Sequence, residues 1–142
     1  MATIATYIKY ELPGIPGKEL RYCQYVLDFS VTNVTQDDIL SIFGCPEDMI
    51  VVSAGYEILT QGTASATLDL GKAGGTELLS AINLNGSAGT KGSGAVADGG
   101  VLFKDTDTID AQISGATAIV GKIRVWWIAM DVTGIGNTND LA

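Results

Sequence analysis

The sequence predicts an all-β protein, an antiparallel β-sandwich of jelly-roll type carrying one short helical turn. Three observations carry that prediction. Apolar and polar residues alternate with period two in one segment after another, the pattern of strands with one face buried and one wet. Eighteen glycines against three prolines supply many tight reversals between short strands. At 142 residues the chain is one domain's length, enough to bury a core without disulfides or a metal.

Residues 1–20 come first and read as an extended N-terminal arm. They hold Ile4, Tyr7, Ile8, Tyr10 and Leu12 ahead of two Pro-Gly turns at Pro13-Gly14 and Pro16-Gly17, with no helix signal. The next segment places Tyr25, Leu27, Phe29 and Val31 on one face of a strand and Asp28, Ser30 and Thr32 on the other. Thr35 three residues before Asp38, then Ile39, Leu40, Ile42 and Phe43 and a closing Gly44, predict the helical turn, with Thr35 as its cap. Met49 to Leu59 follows as a strand bent at Gly55, a residue type that weakens a strand interior. Ala64, Ala66, Leu68 and Leu70 alternate with Ser65, Thr67 and Asp69, and Leu78 to Leu84 gives a further strand beyond the Gly71–Gly75 turn.

Six glycines crowd into residues 86–100, which read as an exposed loop, mobile or ordered by a partner. Ile109, Ala111 and Ile113 then alternate with Thr108, Asp110 and Gln112. The last strand, Ile123 to Val132, is apolar on both faces, so it is either central or covered by another subunit. Alternation sets Trp127 with Ile123, Val125 and Ala129 in the core. Trp126, Ile128 and Met130 share the outward face with Arg124. The tail from Gly134 is polar. Nothing marks a second domain or an internal repeat, and roughly seven to nine strands in all fit one sandwich spanning residues 1–142.

Composition narrows the function. Sixteen acids against eight bases give a net charge of −8, which argues against a partner made of nucleic acid. The chain has no histidine, which removes the commonest general base and metal ligand. No nucleophile elbow, phosphate loop, zincin helix or paired CxxC occurs, so no catalytic residue, metal site or cofactor is expected. Asp105, Asp107 and Asp110 have the carboxylates a calcium ion would want, but lack a closing glutamate and read as solvated turn acids. Tyr22, Tyr25 and Tyr56 with Trp126 could form a sugar-stacking platform, although strand aromatics are more often core. Cys23 and Cys45 read as reduced, small apolar side chains, with a disulfide between them left open. The start has neither basic n-region nor apolar h-region, and no stretch is long and apolar enough to span a bilayer, so neither a signal peptide nor a membrane partner is expected. Only 17% of residues are charged, against about 25% on average, which favours a surface partly covered by a partner.

Residues 107–132, with Ser114-Gly115, a small-residue turn ending in Gly121-Lys122 and the strand Ile123-Arg-Val-Trp ending in Asp131-Val132, resemble the closing hairpin of small β-sandwich structural proteins of tailed bacteriophages. Residues 53–71 resemble the paired central strands of the same group. The resemblance implies a capsid decoration (cement) protein, made in the host cytoplasm and placed on the capsid exterior. It also implies a major capsid protein as partner and assembly as a homotrimer. The group includes fibre components too, so a tail-fibre or receptor- or carbohydrate-binding module is the alternative. The residues expected at interfaces are Ile4, Tyr7, Ile8, Tyr10 and Leu12 of the arm, facing the capsid, and Trp126, Ile128 and Met130 of the last strand.

Overall fold

The computed structural model describes residues 20–132. It contains nine antiparallel strands: β1 Arg21–Asp28, β2 Ile39–Gly44, β3 Met49–Thr60, β4 Thr67–Gly71, β5 Leu79–Asn83, β6 Lys91–Ser93, β7 Val101–Phe103, β8 Thr108–Ser114 and β9 Lys122–Asp131. One sheet runs β1-β9-β3, with β6 and β7 both paired to the far edge of β3; the other runs β2-β8-β4-β5. β1 pairs β9, β2 pairs β8, β3 pairs β6 and β7, and β4 pairs β5. The chain is thus one long hairpin. Rolling it up adds the β3·β9 and β4·β8 pairings, and the result is the jelly roll that the alternation predicts.

The core lies between the inner faces. Val51, Ala54, Ile58, Phe103, Ile123, Val125 and Trp127 come from the first sheet, and Leu68, Leu70, Leu79, Ile109, Ala111 and Ile113 from the second. The Trp127 ring meets Phe43 edge-on across the layers, with centroids 5.5 Å apart, an arrangement aromatic quadrupoles favour. Trp127 is 1% exposed, and its Nε1–H has no acceptor among the described residues; burial of the indole outweighs that unmade bond.

Four local expectations change. Among the described residues there is no helix: Ile39–Gly44 is strand β2. Thr35 and Asp38 do engage each other, with the Thr35 amide and hydroxyl donating to Asp38 Oδ2 at 2.8 and 3.0 Å, but Asp37 sits at φ 67°. A left-handed residue there closes a turn and cannot begin a helix, and pairing with β8 then outbids local propensity. The first strand begins at Arg21 and ends at Asp28, so Val31 is 81% exposed in a turn while Phe29 is buried. Ala64 is likewise exposed in the turn before β4. The irregularities of β3 fall between Val51 and Ser53 and between Ile58 and Thr60, while Gly55 stays in register.

The glycine-rich stretch is not a free loop either. It contains β6, and Gly89 and Gly94 donate to Ile58 and Ala54 of β3 at 2.7 and 2.9 Å. A Cβ on Gly94 would collide with the Leu78 carbonyl; glycine lets this segment lie flat on its neighbours. No described helix is long and apolar enough to cross a membrane.

Candidate interaction surface

The acidic turn was one candidate site, and the structure takes it apart. Asp110 is 5% exposed, on the outer side of β8 yet roofed by the Gly71–Gly75 turn. It accepts hydrogen bonds from the Ala73 amide at 2.9 Å and the Thr108 hydroxyl at 2.8 Å. Asp107 accepts from the Lys104 amide and pairs with Lys72, and Asp105 is tied through its own amide to Asp48. The carboxylates of Asp48, Asp107 and Asp110 each fasten a loop, and among the described residues no three potential ligands converge. Both cysteines are free. Burial, with Asp107 nearby, pushes the Cys45 thiol up to about 11, so it is a packed apolar group rather than a nucleophile.

The outer face of the β1-β9-β3 sheet is different. Residues directly opposite in an antiparallel pair share a face, and the register places Tyr22 beside Ile128, Gln24 and Gly55 beside Trp126, Val26 and Glu57 beside Arg124, and Ile50 beside Met130 and Leu102. Trp126 lies across Gly55, where any Cβ would strike the indole. Glycine at this position therefore gives the ring a flat seat. The Tyr22 ring stacks against Trp126 from the other side, with centroids 5.9 Å apart and planes 24° apart. Arg124 crosses the sheet beneath them. Its Nη1 donates to the Tyr22 hydroxyl at 2.6 Å and to Gln24 Oε1 at 3.3 Å, and its Nη2 donates to Glu57 Oε1 at 2.9 Å. That bond holds the Glu57 carboxyl below the usual glutamate range and fixes the guanidinium charge.

The result is an aromatic and aliphatic platform held by one arginine. Tyr22 is 54% exposed and Val26, Val52 and Leu102 are each more than two-fifths exposed. Trp, Tyr and Arg are the residues that dominate binding energy at protein interfaces, and packing among themselves has already removed much of their rotamer freedom.

Of the residues the sequence singled out, Trp126, Ile128 and Met130 come together here, half-buried on one face, and Trp127 points the opposite way into the core. Ile4, Tyr7, Ile8, Tyr10 and Leu12 lie outside the described residues. Of the three tyrosines proposed for a stacking platform, Tyr22 joins Trp126, while Tyr25 and Tyr56 stand opposite Val125 on the other side of the sheet. Sequence reading missed Gln24, Val26, Ile50, Glu57 and Leu102. Starting the first strand at Arg21 would have set Tyr22, Gln24 and Val26 on one face by parity; the rest depend on register.

No protein-family model matches the sequence, and no curated protein is similar to it. Solved structures do share the fold. One is a chain of the cyanophage Pam1 capsid asymmetric unit, 19% identical with a TM-score of 0.52, covering 82% of this chain and 88% of that one. Another belongs to the acid-stable capsid structure of the Helicobacter pylori bacteriophage KHP30, 12% identical with a TM-score of 0.54, covering 78% and 86%.

Proposed function

We propose that the chain is a non-enzymatic virion structural protein that binds and stabilises the outer surface of a bacteriophage capsid, as a homotrimer seated on the major capsid protein. The observation that carries this reading is the preassembled platform of Trp126, Tyr22, Arg124, Ile128 and Met130 on a sheet face that no described element of the chain covers. A monomer gains nothing from holding such a face in water, whereas a partner that covers it gains apolar burial at little entropic cost. The fold supports the reading: chains of about this size carry it in two phage capsids. The acidic charge supports an outward position, away from packaged DNA.

Capsids that lack the protein, mixed with the purified chain and sedimented, test the proposal. Saturable co-sedimentation, with greater resistance of the shells to heat or low salt, is the expected result. Binding to tails or to a host-surface glycan instead would move the chain to the fibre class, and binding to none of them would overturn the proposal.

A further inference from the structure

Every sheet edge exposes a row of unpaired amides and carbonyls, and proteins blunt such edges with short strands, bulges, charge or proline. Among the described residues, three of the four edges follow that rule. β2 carries a bulge between Ser41 and Phe43. β5 is five residues long, with Ala81 at φ 52° and a register shift against β4. β6 and β7 are three residues each. The fourth, β1, has none of these devices. It pairs β9 through eight consecutive residues with no shift, and between Arg21 and Asp28 its sequence Tyr-Cys-Gln-Tyr-Val-Leu holds no charge and no proline. Leu20, Tyr22, Tyr25 and Val26, all at this edge, are between 44% and 60% exposed. An uncharged, β-prone, unbulged edge is a template for another strand.

We propose that the edge of β1, which no described residue pairs, accepts residues 3–12 of a second copy of this chain as an added strand, which deepens the assembly reading above and rests on it. The segment fits the edge. Ile4, Ile8, Tyr10 and Leu12 fall at even positions in a run without glycine or proline, the period of a strand, and ten residues suffice for an edge of eight. The connection favours exchange between copies. Leu12-Pro13-Gly14-Ile15 and Ile15-Pro16-Gly17-Lys18 each carry a Pro-Gly turn signature. One turn would fold the arm back on its own β1, whereas two in succession would reverse the chain twice and direct it away from that edge. Passing such arms from copy to copy closes naturally in a ring. The arm then joins copies to one another, and the Trp126 face is left for the shell.

The test uses the purified full chain and a form lacking residues 2–12, without capsids. Hydrogen exchange of the β1 amides is read beside oligomeric state by sedimentation equilibrium. The full chain should be oligomeric, with β1 amides exchanging at least about tenfold more slowly than in the shortened chain, and protection should fade on dilution. The shortened chain should be monomeric with an unchanged β-sheet circular dichroism spectrum. Ile8→Pro, which keeps the length but blocks strand pairing, should behave like the deletion. Concentration-independent protection in a monomer would mean that each arm covers its own edge, and equal exchange in both forms would mean that the arm leaves the edge bare; either result overturns the proposal. Saturable head binding by a full chain whose β1 edge is unprotected would overturn strand addition while leaving the capsid reading intact.

Discussion

The outer faces of the two sheets are built from the same period-two pattern and end in opposite conditions. On the β2-β8-β4-β5 sheet most outward residues are polar: Ser41 opposite Asp110, Asp69 opposite Gln112, Thr67 opposite Ser114, with Ile39, 49% exposed beside Gln112, a large apolar exception. Four of them, Asp69, Asp110, Thr67 and Ser114, are satisfied within the chain. Asp110 is roofed by the Gly71–Gly75 turn, Asp69 accepts the Ala81 amide at 2.7 Å, and Thr67 and Ser114 share a hydrogen bond. The strands of that sheet carry no cation. On the β1-β9-β3 face, Lys91, Lys122 and Arg124 stand against Asp28 and Glu57, so an acidic protein has here a face without excess negative charge. Its hydrogen bonds link side chains of the face to one another and leave the apolar rings outward. One face is finished by its own loops. The other leaves its rings outward, the difference that the proposed seat on a shell requires between a solvent side and a contact side.

The sharpest way to break this comparison is at the tryptophan pair, where neighbours in sequence serve opposite sides of one strand. Trp127→Ala empties a fully buried site and should cost about 3–5 kcal/mol in urea unfolding, enough to prevent folding. Trp126→Ala should leave the monomer's unfolding midpoint nearly unchanged and weaken shell binding by about 2 kcal/mol or more, measured as dissociation from the shell. If the two mutants exchange phenotypes, the strand faces the other way in solution. On the finished face, Asp110→Ala removes the acceptor of the Ala73 amide and should cost about 1–2 kcal/mol of stability with no effect on association. A loss of shell binding in that mutant would place the seat on the wrong sheet.

Two smaller effects depend on pH. Glu57 has a folded pKa below its unfolded value, held there first by its bond to Arg124. The stability it contributes is therefore complete above the unfolded glutamate pKa and is lost as pH falls through the folded one. Glu57→Gln should flatten the acid limb of the stability curve, and the change should shrink in high salt. Cys45 is the opposite case: its thiol, raised to about 11 by burial first, contributes stability that is complete below pH 9 and declines as pH rises toward 11. Cys45→Ala should remove that alkaline decline, and at pH 8 a thiol reagent should reach Cys45 only after unfolding.

The sheet count, the sandwich, the inward set of β8 and β9 and the opposite directions of Trp126 and Trp127 were all legible in the sequence. Alternation assigns a face to each residue once strand identity is right, because a side chain in a strand has only two directions. Local reading failed where a distant partner outbid local preference. The helix-like run of Ile39, Leu40, Ile42 and Phe43 became an edge strand because β8 offered it backbone partners, and the glycines of residues 86–100 were pinned by β3 rather than left loose. Asp110 pointed outward as alternation required, but was buried by a turn that lies 35 or more residues earlier.

The company each outward residue keeps came from packing in three dimensions. Parity alone puts Trp126 on the outside. It takes register to bring Tyr22, more than a hundred residues earlier, against its ring, to set Gly55 beneath it and to stretch Arg124 between Glu57 and Tyr22. The period, and with it which residues face in and which face out, is written in the local pattern; cross-strand neighbours follow from hydrogen-bond register between segments far apart in the chain, which that pattern does not encode.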